Sequence, residues 1–229
     1  MPVLPLRARL DAALLTRPPR LLHALLPGCE WTAPARSPAG RPALYLTFDD
    51  GPIPEETPWV LAQLAAHRAR ATFFCVGENL ARHPAIARAA LAAGHRLGNH
   101  THRHRSAWAS PRPAYLTDVA ACQAELARLA PPPAPHSPLP LFRPPFGRLT
   151  WPLLAALRPA YRVVMWSVLT RDYDPDLRPE ACLRLTLAVA RPGDVLVLHD
   201  SRKASARLRF VLPRVLAHFA ERGYDFLPL

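Results

Sequence analysis

Residues 43–52 read Ala-Leu-Tyr-Leu-Thr-Phe-Asp-Asp-Gly-Pro, an apolar run that ends in two adjacent carboxylates and a Gly-Pro turn. The apolar part, Ala43 to Phe48, predicts a buried strand that ends where the turn begins. Asp49 and Asp50 repel each other, and burying either carboxylate without a partner costs several kcal/mol. The pair therefore requires a cation or an arginine beside it, unless it belongs to an ordinary solvent-exposed turn, for which Asp and Gly-Pro are also typical.

The composition indicates one globular domain with a large positive charge. The chain has 229 residues, half of them hydrophobic, and a mean hydropathy of −0.01. Its formal net charge is +12, and Lys203 is the only lysine. Such a charge favours polyanions such as nucleic acid, anionic membrane surfaces or acidic cell-wall polymers. Because the sequence has no basic run with interleaved aromatic residues, we expect no specific nucleic-acid site.

Residues 1–42 are predicted to form an N-terminal extension before a catalytic domain at 43–229. The longest apolar stretch of the extension, Leu21 to Cys29, is interrupted by His23 and Pro27, so we expect neither a signal peptide nor a transmembrane helix. We expect the extension to pack on the domain, with peripheral contact to a membrane as the alternative. The four cysteines are widely separated and form no C-x-x-C pair, which slightly favours a reducing, cytoplasmic location.

The hydrophobic pattern after Arg41 alternates between strand-like and helix-like segments. The predicted strands are 43–48, 71–76, 95–99, 141–143, 161–168, 194–199 and 224–227, of which 161–168 has the clearest pattern. The predicted helices are 58–67, 84–93, 115–129, 151–157, 179–190 and 207–222, and a proline-rich loop is predicted at 131–140. Seven β/α alternations predict an α/β domain with a parallel sheet, either a closed barrel or an open doubly wound sheet. No glycine-rich phosphate loop follows any strand, which weakens the nucleotide-binding version.

Unusual polar residues follow the carboxyl ends of five predicted strands. They are Asp49 and Asp50, His100 and His104, Arg143, Asp172, and His199. In a β/α barrel these strand ends share one face, and that face carries the active site. The pattern therefore predicts one site built from residues far apart in sequence.

Two histidines in this set have the spacing of metal ligands. His100 and His104 are four residues apart, which a helical turn brings to one face, and neutral imidazole suits Zn²⁺ or Co²⁺. Asp50 could supply an oxygen ligand, and three protein ligands leave a coordination position open, as in catalytic sites. The alternative is a polar surface loop that happens to be rich in histidine. His102 points to another face at this spacing and is not in the predicted ligand set.

Five segments together resemble the ordered motifs of the NodB-like polysaccharide deacetylases, carbohydrate esterase family 4. They are T-F-D-D-G-P at 47–52, H-T-x-x-H at 100–104, R-P-P-F-G at 143–147, Asp172-Tyr173 at the end of an aromatic strand, and V-L-H-D at 197–200. The resemblance spans residues 43–229. It implies a single domain with a distorted, incompletely closed β/α barrel of about seven parallel strands. It also implies metal-dependent removal of N-acetyl or O-acetyl groups from sugars.

The resemblance also implies a metal site and a general base. Asp50, His100 and His104 would bind one divalent ion, with Zn²⁺ expected and Co²⁺ possible. Asp49 would act as the general base, which is consistent with a carboxylate that is not a ligand and remains free to accept a proton. Arg143 would orient Asp49 through a charge-assisted hydrogen bond.

The remaining implied roles concern the leaving group and the acetyl group. His199 would protonate the departing amine, and the backbone N–H near Phe146 would help to hold the oxyanion. Pro144, Phe146, Tyr173 and Val197 are predicted to contact substrate, with Tyr173 and Val197 forming an apolar wall for the acetyl methyl group.

The fourth motif departs from the family pattern. An aspartate usually stands four positions before a tryptophan and pairs with the acid histidine, but the corresponding residues here are Leu169 and Tyr173. Without an anionic partner, His199 is expected to lose its proton early as pH rises, unless Asp172 or Asp200 replaces the missing carboxylate.

Three functions remain open on the sequence alone. The expected one is a monomeric hydrolase that removes N-acetyl groups from glycans containing N-acetylglucosamine, such as peptidoglycan or chitin-like oligomers. A second is a deacylase of another acyl group, for example a formyl group on a lipid-linked sugar or small amide, which the altered fourth motif favours. A third is a weakly active, metal-containing glycan-binding protein, which the retained Asp49, Arg143 and His199 disfavour because binding alone needs no proton transfer.

Overall fold

A computed structural model describes residues 16–129 and 138–229. The first 15 residues of the predicted extension lie outside the described residues, as does the 131–137 part of the predicted proline-rich loop. Within the described residues, eight strands form one parallel sheet: β1 (Ala43–Asp49), β2 (Thr72–Cys75), β3 (Arg96–Asn99), β4 (Leu141–Phe142), β5 (Arg162–Val163), β6 (Val168–Leu169), β7 (Val195–His199) and β8 (Asp225–Phe226). The order is β5-β4-β3-β2-β1-β7-β6, and β8 pairs with β1 outside this path.

Helices connect most successive strands, as expected for parallel strands, which need crossover connections. The described helices are α1 (Arg20–Leu25), α2 (Thr57–Ala66), α3 (Gly77–Arg82), α4 (Pro84–Ala92), α5 (Arg112–Leu129), α6 (Trp151–Leu157), α7 (Pro179–Val189) and α8 (Ser205–Ala220), with a short 3₁₀ turn at Pro145–Gly147. Helix α3 was not predicted from the sequence. The six predicted helices agree with α2 and α4–α8 to within about three residues at each end.

Strand β1 is the centre of the sheet and the most deeply buried element. All seven of its residues are buried, and it lies between β2 and β7. One set of its side chains, which includes Leu44 and Phe48, packs with helix α8, while Ala43 and Tyr45 pack on the opposite side. A parallel strand covered on both faces reads as a continuous apolar run, which is why 43–48 was recognisable in the sequence.

The prediction of one long strand over 161–168 is wrong. Strand β5 pairs with β4 at one edge of the sheet, and β6 pairs with β7 at the other edge. The residues between them, 164–167, form a seam across the opening of the barrel. At this break the carbonyl oxygens of Val164 and Met165 accept hydrogen bonds from the Arg143 side chain, at 3.3 and 2.9 Å, and so bond a side chain instead of a neighbouring strand. The fold is therefore an incompletely closed barrel in a single domain, as the family resemblance implied.

The described part of the N-terminal extension contacts the barrel next to the seam. Glu30 accepts two hydrogen bonds from Arg162, at 2.8 and 2.7 Å, and its backbone bonds Val163 and Met165. Farther on, the Ala33 N–H donates to the carbonyl of Gly193 at 2.9 Å. The division of the chain at residue 42 stays a prediction.

Helix α1 presents apolar side chains to solvent. Leu21, Leu22 and Leu25 are 77, 43 and 56% exposed. Among the described helices, none has the length and apolar character needed to span the bilayer. Peripheral contact between this segment and a membrane stays a prediction.

Candidate active site

The strand ends converge as the sequence predicted. Asp49 is the last residue of β1 and is paired in register with His199, the last residue of β7. His100 directly follows β3, and Arg143 directly follows β4. Asp172 comes three residues after β6. All five residues therefore lie at the carboxyl edge of one parallel sheet, where β/α folds build their active sites.

Backbone strain is concentrated in the same place. Asp50, Thr101, His104 and Phe146 have φ values of 83, 62, 53 and 60°, in the left-handed region that disfavours residues with a Cβ atom. Such residues persist only where surrounding contacts over-determine them, and they occur most often at functional sites.

The turn after Asp50 is held by a buried carboxylate. Asp200 accepts the Gly51 N–H at 3.0 Å and the Thr57 hydroxyl at 2.6 Å, while Thr57 accepts the Ile53 N–H at 2.9 Å. A Cβ atom on Gly51 would lie 2.1 Å from Asp200, so only glycine fits at this position. Asp200 therefore fixes the turn that carries Asp50 and does not bond His199.

A second loop carries the two histidines and is held from below by two buried polar side chains. Asn99 accepts the Thr101 N–H at 2.9 Å. Asp118 on helix α5 accepts the backbone N–H groups of His102 and Arg103, at 2.9 and 3.0 Å. These bonds satisfy backbone donors in an irregular segment, so the loop has a defined shape. They also leave His100 and His104 directed at Asp50.

Asp50, His100 and His104 form the only group of three described histidine, cysteine, aspartate or glutamate residues close enough to share an ion. Their nearest ligand atoms all lie within 4.8 Å of one another. Nε2 of His104 is 3.2 Å from Oδ1 of Asp50, and Nε2 of His100 is 3.8 Å from the same oxygen. Two nitrogens and one carboxylate oxygen are a donor set that Zn²⁺ and similar ions accept.

The protonation states of His100 and Asp50 suit a cation. The backbone carbonyl of Arg143 lies 2.8 Å from Nδ1 of His100, which places the proton on Nδ1 and leaves Nε2 as a free donor atom toward Asp50. Burial lowers the pKa of His100 to about 4, so its imidazole is neutral at physiological pH. Burial opposes ionisation of Asp50, but the hydrogen bond from His104 and the neighbouring histidines hold its pKa below the usual value.

Asp49 and Arg143 form a buried ion pair. Nη1 of Arg143 donates to Oδ1 of Asp49 at 2.7 Å and to the Thr47 hydroxyl at 2.7 Å, and the guanidinium lies over the Phe74 ring at 4.0 Å. Arg143 is fully buried, and Asp49 is 4% exposed. A buried charge pair with additional hydrogen bonds fixes both side chains in position. The predicted contact between Arg143 and Asp49 is present.

His199 has an anionic partner, so the exception that the sequence left open applies and the imidazole does not lack a carboxylate. Nδ1 of His199 is 2.7 Å from Oδ1 of Asp172, and the His199 backbone N–H donates to Oδ2 of the same carboxylate at 2.8 Å. Burial opposes protonation, but the charge and hydrogen bond of Asp172 raise the pKa of His199 to about 9. Of the two candidates for the missing carboxylate at Leu169, Asp172 bonds the imidazole and Asp200 does not.

The predicted substrate-contact residues differ in accessibility. Phe146 is 59% exposed, and its ring contacts the His104 ring edge-on at 4.6 Å. Tyr173 contacts His199 in the same way at 5.0 Å and is partly buried. Pro144 and Val197 are buried. Phe146 and Tyr173 therefore flank the site on the metal-ligand side and the His199 side, while a substrate role for Pro144 and Val197 stays a prediction.

Several residues that support the site were not identified from the sequence as supports. Thr57, Asn79, Asn99 and Asp118 each fix the backbone near a functional side chain, and Asn79 does so by donating to the Asp50 carbonyl at 2.8 Å. Asn99 lies next to the histidine motif and was recognisable by proximity. Thr57 lies on the helix that follows the Asp50 turn, while Asn79 and Asp118 lie on helices farther along the chain, and no local pattern indicates the contacts of these three residues.

Comparison with known proteins indicates the same protein family as the sequence motifs. The polysaccharide deacetylase family model matches residues 36–161. A chitooligosaccharide deacetylase of Sinorhizobium fredii is 38% identical over 170 residues, which cover 72% of this chain and 75% of that protein. A peptidoglycan N-acetylglucosamine deacetylase of Bacillus cereus is 31% identical over 194 residues, which cover 83% of this chain and 87% of that protein.

A solved structure extends the likeness to the whole fold. The crystal structure of a peptidoglycan N-acetylglucosamine deacetylase superposes with a TM-score of 0.78 at 27% identity, covering 90% of this chain and 93% of that one. The family model matches more than half of the chain, and the fold and the ordered motifs agree with it. The chain belongs to the polysaccharide deacetylase family, in the NodB-like group known as carbohydrate esterase family 4.

Proposed function

We propose that this protein is a metal-dependent hydrolase that removes N-acetyl groups from glycans containing N-acetylglucosamine. The observation that carries the proposal is the combination, at one sheet edge, of a cation-binding group with two separate buried ion pairs. The cation-binding group consists of Asp50, His100 and His104. The two ion pairs are Asp49 with Arg143 and His199 with Asp172. A binding protein has no need for two opposed proton-transfer groups beside its metal site.

The two ion pairs divide the proton transfers between them. Asp49 is held in position by its contact with Arg143 and accepts a proton from the attacking water. His199 is protonated by its contact with Asp172 and donates a proton to the nitrogen as the C–N bond breaks. Since Asp49 and His199 are neighbours across the β1–β7 ladder, both can reach one acetamide group. The products are acetate and a free amine.

Asp50, His100 and His104 would hold the divalent ion, and Zn²⁺ fits the two-nitrogen, one-oxygen donor set, with Co²⁺ as an alternative. When bound, such an ion supplies Lewis acidity to the acetamide carbonyl and lowers the pKa of water. The hydrogen bond between His100 and the Arg143 carbonyl orients the first histidine for this role. The backbone near Phe146 remains the proposed donor to the oxyanion.

The alternative of a different acyl group drew on the altered fourth motif and on the expectation that the chain lacks a signal peptide. Because Asp172 supplies the missing charge to His199, the first of these reasons no longer applies. Relatives named as chitooligosaccharide and peptidoglycan N-acetylglucosamine deacetylases also support an acetyl group on a glucosamine unit. The binding-only alternative is disfavoured by the intact proton-transfer pairs.

The test is acetate release from N-acetylglucosamine oligomers and from peptidoglycan. The purified protein is treated with a chelator and then supplied with Zn²⁺ or Co²⁺. We expect chelation to abolish acetate release and the added ion to restore it, because the proposed site has three ligands that assemble around the ion. Formyl-substituted glucosamine oligomers serve as the comparison substrate. Faster release of formate than of acetate, or release that chelation leaves unchanged, would contradict the proposal.

A further inference from the structure

Two exposed aromatic side chains and an arginine adjoin the metal-ligand side of the site. Trp108 and Phe146 are 66 and 59% exposed, although large aromatic side chains are usually buried. The guanidinium carbon of Arg148 lies 5.1 Å from the Trp108 ring centre and 5.5 Å from the Phe146 ring centre. We call these three residues the aromatic platform. The Phe146 ring contacts both the Arg148 guanidinium and, at 4.6 Å, the His104 ring.

The backbone around the aromatic platform is fixed by contacts beneath it. Gly147 has a φ of 63°, and a Cβ atom there would lie 2.2 Å from the Trp166 ring, so the loop between Phe146 and Arg148 packs directly on that indole. Nε1 of Trp108 donates to the Leu149 carbonyl at 3.2 Å, which ties the loop after His104 to the loop after Arg143. The platform is therefore a built surface that joins two of the loops forming the site.

Arg148 differs from the other arginines near the histidine loop. Arg103 pairs with Glu78 at 3.7 Å, and Arg105 pairs with Asp118 at 3.4 Å. Arg148 is exposed, and its guanidinium has no carboxylate or hydrogen-bond partner among residues 16–129 and 138–229. Cation–π contacts orient a guanidinium and leave its N–H groups available. A planar, oriented guanidinium without a partner matches a carboxylate supplied from outside the chain.

We infer that Arg148 binds a carboxylate on a sugar next to the N-acetylglucosamine that is deacetylated. This inference rests on the proposed function, since it takes the glycan to lie across Asp49, Asp50 and His199. It deepens that function by naming the substrate class: glycans in which carboxylate-bearing sugars alternate with N-acetylglucosamine are preferred over neutral N-acetylglucosamine oligomers. The net charge of +12 also attracts acidic glycans, and it does so at longer range than the Arg148 contact.

The test compares three tetrasaccharides. One is the neutral N-acetylglucosamine tetramer, the second alternates N-acetylglucosamine with N-acetylmuramic acid, and the third is the second with its carboxylates converted to methyl amides. For Arg148→Gln, we expect the ratio of kcat/KM on the acidic tetramer to that on the neutral tetramer to fall about fivefold, as for an exposed ion pair. The change should appear in KM, because the contact is the same in the ground state and the transition state.

Four comparisons separate this role from a general effect of charge. Arg88→Gln, on the outer surface of helix α4, removes the same charge from an exposed position and should leave the ratio unchanged. The methyl-amide tetramer should show no dependence on Arg148. Arg148→Lys should restore only part of the preference, because lysine lacks the planar fork. Trp108→Ala should weaken it, since Arg148 then loses one of its two rings.

A direct binding measurement makes the outcome independent of turnover. Calorimetry on the metal-loaded protein should give a lower Kd for the acidic tetramer than for the neutral one, with a difference that Arg148→Gln reduces and added salt weakens. If Arg148→Gln and Arg88→Gln have the same ratio of affinities and of rates, the inference is wrong. If neither the acidic nor the neutral tetramer is deacetylated, the proposed function fails, while the affinity ratio still decides the role of Arg148.

Discussion

The carboxylates of the site are of two kinds. Asp49 and Asp172 are almost completely buried, and each forms a 2.7 Å contact with a cationic partner of the protein, Arg143 or His199. The Asp50 side chain is 28% exposed, and its ion-pair contacts among the described residues are with two histidines, one of which burial keeps neutral.

The difference indicates which carboxylates have a cationic partner within the protein and which do not. A buried carboxylate that loses its partner destabilises a protein by about 3–5 kcal/mol, so Asp49 and Asp172 are tied to the folded state through their partners. Asp50 and the two histidines leave a position that a cation from solution completes. Substitutions in the first kind should change proton transfer at constant metal content, and substitutions in the second should change metal content itself.

The largest effect is expected for His104→Ala. Removing one of three ligands leaves two, so both bound metal and acetate release should fall below detection. His102→Ala is the matched control, because His102 lies in the same loop but outside the ligand group. Elemental analysis and activity are measured on both variants. Full metal content in His104→Ala would remove His104 from the ligand set.

Asp49→Asn should lower turnover by about 10²–10⁴-fold while the metal remains bound. The asparagine is nearly isosteric and cannot accept the proton from water, yet it leaves Asp50, His100 and His104 unchanged. Metal content and kcat are measured on the same preparation. Loss of metal in this variant would show that the roles of Asp49 and Asp50 are reversed, and the comparison between the two kinds of carboxylate would fail.

The third prediction concerns pH. The general acid must be protonated, and Asp172 raises the pKa of His199 to about 9, so activity should persist above neutral pH and decline as pH rises through that value. In Asp172→Asn the alkaline limb of kcat/KM should move down toward the ordinary histidine value of about 6.5. A bound cation lowers the His199 pKa in both proteins, so the difference between the two profiles is the relevant quantity.

Asp174→Asn is the control for that shift, since Asp174 is close in sequence but bonds Arg171. The alkaline limb of this variant should coincide with that of the unmodified protein. An Asp172→Asn profile that also coincides with it would mean that His199 is not the group that titrates.

The smallest effect is expected for the turn that carries Asp50. Asp200→Ala removes the acceptor for the Gly51 N–H and the Thr57 hydroxyl, so it should weaken metal affinity by about tenfold, the lower end for residues that orient ligands. Asp200→Asn retains an acceptor oxygen for the Gly51 N–H and should weaken metal affinity less than Asp200→Ala does. Metal affinity is measured by competition with a chromophoric chelator. Unchanged affinity in Asp200→Ala would show that the turn keeps its shape without this contact.

Much of the site could be predicted from the sequence because its residues lie at strand ends. Burial on both faces made β1 and β7 continuous apolar runs, and the polar residue after each run marked the catalytic edge of the sheet. A parallel sheet in one domain, and the grouping of Asp50 with His100 and His104, follow from that pattern. The family resemblance then divided the roles between Asp49 and Asp50, which no local pattern distinguishes.

The rest depends on contacts between distant segments. Position 169, where the family has the partner of the histidine, is leucine here, and the sequence left Asp172 and Asp200 as alternatives. The structure places Asp172 against His199, where the chain turns after β6 with Arg171 at a φ of 61°. The break at 164–167 was not predictable because these residues have a strand-like apolar pattern. Their contacts with Arg143 join residues more than 20 positions apart in the chain.

The seam links the position of Asp49 to the integrity of the barrel. Arg143 uses separate nitrogens to hold Asp49 and the carbonyl of Met165, so a single guanidinium joins β1 to the opening between the two sheet edges. If the seam separates from the barrel, the Arg143 guanidinium loses the Met165 carbonyl as an acceptor and is no longer held beside Asp49. Turnover should therefore decline early in unfolding, before the central strands β1 and β7 separate, which makes catalysis a sensitive reporter of barrel closure.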